Sequence, residues 1–166
     1  MNRLMCSPFF GPVNTLNQHW ERRDVMSNKF RATLRGANEV PPVRTNATGT
    51  AEFHYRPTSQ QLSFELTVRN ISRVTEAHIH LGRRGENGPV VATLFGPSKF
   101  GITVRRGVVS GVLRACDLTG PLRGRTIYDL VCQIREGNAY VNVHTIRHPN
   151  GAIRGQIRRA PIKRCK

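Results

Sequence analysis

Three histidines carry the chemistry that this 166-residue sequence could perform. Two sit in Ala77-His78-Ile79-His80, and the third in Ala139-Tyr140-Val141-Asn142-Val143-His144-Thr145. If residues 75–81 form a strand, Ala77, Ile79 and Leu81 point into the core and His78 and His80 share the opposite face. Their Cα atoms then lie about 6.5–7 Å apart. Two imidazoles at that spacing can converge on one cation, and imidazole suits copper and zinc. A His-x-His pair alone is a weak signal, because many such pairs are simply solvated. In the second segment Val141, Val143 and Thr145 take one face, while Tyr140, Asn142 and His144 take the other. Only the topology decides whether this third ring meets the first two. His148, in the following turn, is placed to be a fourth ligand or a group behind the ligands.

Other chemistry has less support. No serine or cysteine has a histidine-and-acid context for nucleophilic catalysis. Gly82, Gly85 and Gly88 resemble a phosphate loop only in spacing; no helix follows, so they read as a turn. Glu39 is either a carboxylate near the histidines or an anchor for its own loop through backbone amides. Cys6, Cys116, Cys132 and Cys165 contain no Cys-x-x-Cys, which disfavours a zinc ribbon. They are either two bridges, with Cys6 and Cys165 tying the ends together, or four free thiols.

The elements that must position the histidines are strands. Phe30, Ala32 and Leu34 alternate with polar residues, as do Ala51, Phe53 and Tyr55, and then Leu62, Phe64, Leu66 and Val68. Further strands are expected at 75–81, 90–95, 104–113, 139–146 and 152–158. Turn formers separate them at Pro41-Pro42, Pro57-Thr58-Ser59, Gly85 to Pro89 and Pro149-Asn150-Gly151. One stretch has a different period. Ile127, Leu130, Val131 and Ile134 fall at helical spacing, behind a Thr126/Asp129 capping box and ahead of Gly137. The expected fold is all-β: an antiparallel Greek-key β-sandwich or flattened barrel of about eight strands, with one short helix at about 127–136.

Length allows a single domain. Residues 1–26 read as a poorly ordered N-terminal extension with no convincing signal peptide, which points to the cytoplasm. Residues 27–158 are the domain, and 159–166 a basic tail. No run of 18 apolar residues exists, so no membrane-spanning helix is expected. The 26 basic residues outnumber 10 acidic ones for a net charge of +16; only Lys29, Lys99, Lys163 and Lys166 are lysines, so 22 are arginine. Such a surface attracts anionic polymers non-specifically and in a salt-dependent way. No recognition helix or aromatic platform accompanies it, which disfavours sequence-specific nucleic-acid binding.

The segments Leu34-Arg35-Gly36-Ala37-Asn38-Glu39-Val40-Pro41-Pro42-Val43, Gly49-Thr50-Ala51, Ala77-His78-Ile79-His80-Leu81-Gly82, Gly88-Pro89-Val90-Val91, Ala139 to Thr145 and Pro149 to Ile157, in that order, resemble the CHRD domain. That module is named from chordin and also occurs as stand-alone bacterial proteins. The resemblance spans about residues 29–158. CHRD domains are in turn distantly similar to the copper/zinc superoxide dismutase sandwich, which binds copper through a His-x-His pair and a histidine on a later strand. This implies copper on His78, His80 and His144, with Arg154 as an anion guide. No histidine lies between His80 and His144, so the bridging imidazole and the zinc site have no counterpart and zinc is not expected. The paired cysteines of those enzymes are not evident either. The resemblance thus implies a copper-binding domain in which turnover as a superoxide dismutase-like oxidoreductase is less expected than simple metal binding. It also implies that the family is often extracellular. The alternative is a non-enzymatic basic module for anionic polymers or protein partners, with a homodimer left open.

Overall fold

The structure, a computed structural model, describes residues 28–161. The expected extension 1–26, the last residues of the basic tail, His19, Cys6 and Cys165 lie outside them. Eight strands and one helix follow in chain order: β1 (Lys29–Arg35), β2 (Thr48–Arg56), β3 (Gln61–Leu81), β4 (Val90–Phe95), β5 (Ile102–Leu113), α1 (Ile127–Arg135), β6 (Ala139–Thr145), β7 (Ile153–Gln156) and β8 (Arg158–Arg159). All pairings are antiparallel. They close a circuit in which β1 pairs β2, β2 pairs β3, β3 pairs β6, β6 pairs β7 and β7 returns to β1. The all-β architecture with barrel-like closure is the one that the alternation predicts.

The largest departure is β3. Two strands were expected, at 62–68 and 75–81, but the chain runs through both as one strand of 21 residues. Asn70 and Arg73 adopt positive φ (51° and 54°) between them. The register along β5 shifts between Ile71 and Val74. This local kink lets β3 change neighbours without leaving the sheet, as bulges do. Its first half pairs β2 and β5; its second half pairs β4 and β6.

Alternating apolar residues fill the interior: Phe30, Ala32 and Leu34 from β1, Leu62, Leu66 and Ile79 from β3, Val141 and Val143 from β6, and Ile153 from β7 are all buried. Helix α1 adds Ile127, Leu130, Val131 and Ile134 from one face. Thr126 Oγ1 accepts from the Asp129 amide and Asp129 Oδ2 from the Thr126 amide, so both ends of the predicted capping box are made. Gly137, at φ 72°, ends the helix. No helix among the described residues is long and apolar enough to cross a membrane. Cys116 is an exposed free thiol, and Cys132 is buried.

The two ends of the described chain meet. β8 pairs β1 through Phe30 and Arg159, and the Ala160 amide donates to the Lys29 carbonyl at 2.9 Å.

Packing of β7 on β1 leaves no room at Gly155, where a Cβ would stand 2.5 Å from the Thr33 carbonyl oxygen and 2.7 Å from its carbon. Backbone atoms cannot swing away as a side-chain tip would. Gly155→Ala is expected to destabilise the domain by about 1–3 kcal/mol, measured by urea unfolding; unchanged stability would contradict this packing.

Candidate metal centre

The pairing of β3 with β6 decides where the histidines go. His78 faces Asn142 across the ladder, His80 faces Tyr140 and Glu76 faces His144. Side chains directly opposite or diagonal on one face of an antiparallel pair touch. His80 therefore stacks on Tyr140, with centroids 4.9 Å apart and planes 10° from parallel. His144, diagonal to His78, comes within 5.1 Å of it, centroid to centroid, and 5.9 Å from His80. One nitrogen from each of the three rings lies within 4.8 Å of one from the others. The topology thus brings together the three imidazoles that the sequence placed on two separate strand faces.

The face they occupy is covered rather than solvated. His80 and His144 are buried and His78 is half-buried, and every residue of β6 is buried. The cover is made of turns, and two of their carbonyls fix the rings. His80 Nδ1 is 2.9 Å from the Gly88 oxygen, and His144 Nδ1 is 2.8 Å from the Pro149 oxygen. A carbonyl only accepts, so each Nδ1 carries the proton and the Nε2 of each neutral ring is left with a bare lone pair. His80 Nε2, His144 Nε2 and His78 Nδ1 are all buried without a hydrogen-bond partner. Burial holds the His80 ring down to about 4, against the pull of the Gly88 bond in the other direction. Burial, then the neighbouring His144, lowers His78 as well. Neutral imidazoles with the outer nitrogen tied to a carbonyl are the form in which histidine ligates a metal.

His148 is not part of this group. Its backbone matters instead: its amide donates to Thr145 Oγ1, and its carbonyl accepts from the amides of Thr145 and Gly151. That turn carries Pro149 to His144.

Arg154, expected as an anion guide, is placed differently. It is 2 % exposed, with its guanidinium carbon 3.5 Å from the Tyr140 ring centroid. Nη1 donates to Asn87 Oδ1, and Nη2 to the Arg83 and Glu86 carbonyls. Its charge is therefore spent on the 83–88 loop, not offered to a solute. The same loop presents Gly88, whose amide donates to the Tyr140 hydroxyl and whose carbonyl holds His80. Arg154 thus touches both the loop and the ring that contact His80.

Of the two roles expected for Glu39, the loop anchor through backbone amides is not the one it fills. It is buried, no backbone amide among the described residues donates to its carboxylate, and Oε1 has no partner. Gly151 (φ 132°) packs against it so closely that a Cβ there would lie 2.7 Å from Glu39 Oε1 and 2.6 Å from Asn142 Nδ2. Burial raises the Glu39 carboxyl to about 7, and the Arg154 charge opposes that rise. Sequence reasoning did not assign a role to Tyr140 beyond its strand face, nor find the Gly88 and Pro149 carbonyls; no local pattern marks a carbonyl as a histidine partner.

An antiparallel barrel bearing a covered triad of imidazoles is the class of protein that fold and site define. The CHRD domain model matches residues 30–157, and the chain belongs to the CHRD domain family. It is 29% identical to chordin from Danio rerio over 136 residues, which is 81% of this chain and 13% of that protein. The chain therefore spans only a small part of that relative. No solved structure matches.

The Glu39 carboxyl ionises near 4.5 when unfolded and near 7 in the fold. A raised value means that its contribution to stability is present in full below pH 4.5 and is lost as pH rises through 7. Glu39→Gln removes this loss, so the variant should gain stability relative to the parent between pH 5 and pH 8. Urea unfolding across that range checks it, and parallel pH profiles would refute it.

Proposed function

We propose that this CHRD domain is a metal-binding protein that holds one copper ion on His78, His80 and His144. The observation that carries the reading is the set of three buried, unpartnered imidazole nitrogens, one per ring, gathered from two strands. Leaving three such lone pairs without partners away from water costs free energy, which a bound cation recovers. Imidazole donors suit copper, and the dismutase-like pattern of a His-x-His pair with a later histidine favours copper over zinc. Copper would supply one-electron chemistry if it turned over. The residues here hold neutral rings in fixed orientation and cover them with the 83–88 and 146–151 turns. Arg154 does not serve as an anion guide in this reading, so binding without turnover is the function that the site supports best.

Copper(II) titration by calorimetry tests this. The parent is expected to bind one equivalent, and copper at 100 times its dissociation constant should stabilise the fold by about 2.7 kcal/mol. His78→Ala and His144→Ala should each abolish high-affinity binding while the circular dichroism of the sheet persists. Unchanged stoichiometry in both variants would remove the site. Arg154→Lys keeps the charge but loses the forked reach to the loop. It should weaken copper binding about 10–100-fold with the same stoichiometry, and an unaltered affinity would break the proposed link between Arg154 and His80.

A further inference from the structure

We propose that the free edge of β5 is a docking site for an extended, acidic segment of a partner protein, which adds to the sheet as a further strand. β5 pairs with β3 alone; among the described residues no strand covers its other edge over Ile102–Leu113. An open edge is a row of unpaired backbone donors and acceptors, and folded proteins blunt such edges unless they use them. This edge is not blunted by proline or a short length. Val108 and Val112 face solvent on its outer side, and Ile102 and the neighbouring Phe100, which is 78 % exposed, extend the apolar surface past its start.

Beneath the strand the sheet is hollow. Gly107, opposite Val68, leaves the space open, whereas at Gly111 the Phe64 ring already fills it, 2.8 Å from where a Cβ would stand. A groove of about 180 Å³ opens there, lined by Val68, Val74, Phe95, Ile102, Val104 and Val109 among others. That volume accommodates one large aliphatic side chain.

Charge selects the occupant. Arg69 and Arg106 stand directly opposite each other across the β3–β5 ladder, an arrangement that like charges disfavour. Arg105 is adjacent and Arg73 donates its amide to Thr103 at the start of the strand. All four are exposed, and among the described residues none is in a salt bridge. The acids on this face, Glu52 and Glu65, stand opposite each other, and Glu65 faces Ser110, away from the Arg69–Arg106 pair. A partner strand with acidic residues at alternate positions and an aliphatic residue between them would relieve the repulsion, pair the edge and fill the groove. A second copy of this chain fits poorly, because the only charges on β5 are positive.

The probe is a capped seven-residue peptide that alternates glutamate and valine around a central leucine. Calorimetry should give saturable binding, and hydrogen exchange should slow at the β5 amides. Arg105→Glu combined with Arg106→Glu should weaken binding about tenfold or more, without changing copper stoichiometry. Substituting lysine for glutamate in the peptide, or methylating alternate peptide nitrogens, should abolish it. The proposal is overturned by no saturation at millimolar peptide, or by binding indifferent to charge reversal or to N-methylation. It is also overturned if sedimentation gives a dimer whose β5 amides are protected without peptide. The metal reading stands or falls separately, on the histidine variants.

Discussion

A guanidinium never gives up its proton in a protein, so a buried arginine must be met by acceptors or it will not stay buried. At Arg154 that requirement is met by two carbonyls and a side-chain oxygen of a single loop, and by the face of Tyr140. Cation and ring attract each other most where water is excluded. Much of the site follows from this one contact. The loop drawn onto Arg154 is the loop that lends a carbonyl to His80, and the ring pressed by Arg154 is the ring against which His80 stacks. Charge burial on β7 thereby sets a tautomer on β3.

Much of the fold was legible in the sequence, because a half-buried strand and a capped helix leave short-range periodic marks. The runs around Phe30, Phe53 and Phe64 and the 127–134 stretch became elements close to where their alternation placed them. The kink in β3 was not legible. Asn70 and Arg73 adopt positive φ, and nothing in the flanking alternation marks either position. The rings of the candidate site could be placed on faces from alternation alone. Their meeting depended on a register between residues more than sixty positions apart, which no local pattern encodes.

The polar face of β6 shows where such reasoning fails most. Tyr140, Asn142 and His144 alternate with valines, as they would on a strand half open to water, yet all are buried. Loops rather than solvent cover them, and loops carry many of the backbone carbonyls that such side chains need. The cover is incomplete in its bonding: oxygens of Glu39 and Asn142 remain unpartnered beside Gly151. Sites that bind something commonly leave such groups unpaired, whereas purely structural cores rarely do.

The adjacency of Lys29 and Ala160 has its own consequence. Entry and exit of the folded unit lie side by side on one edge of the barrel, hydrogen-bonded to each other. A unit built this way can be spliced into a longer polypeptide like a cassette, because the flanking chain resumes within a few ångströms of where it left. Rotating the order of its strands by joining those two points would likewise leave the interior undisturbed.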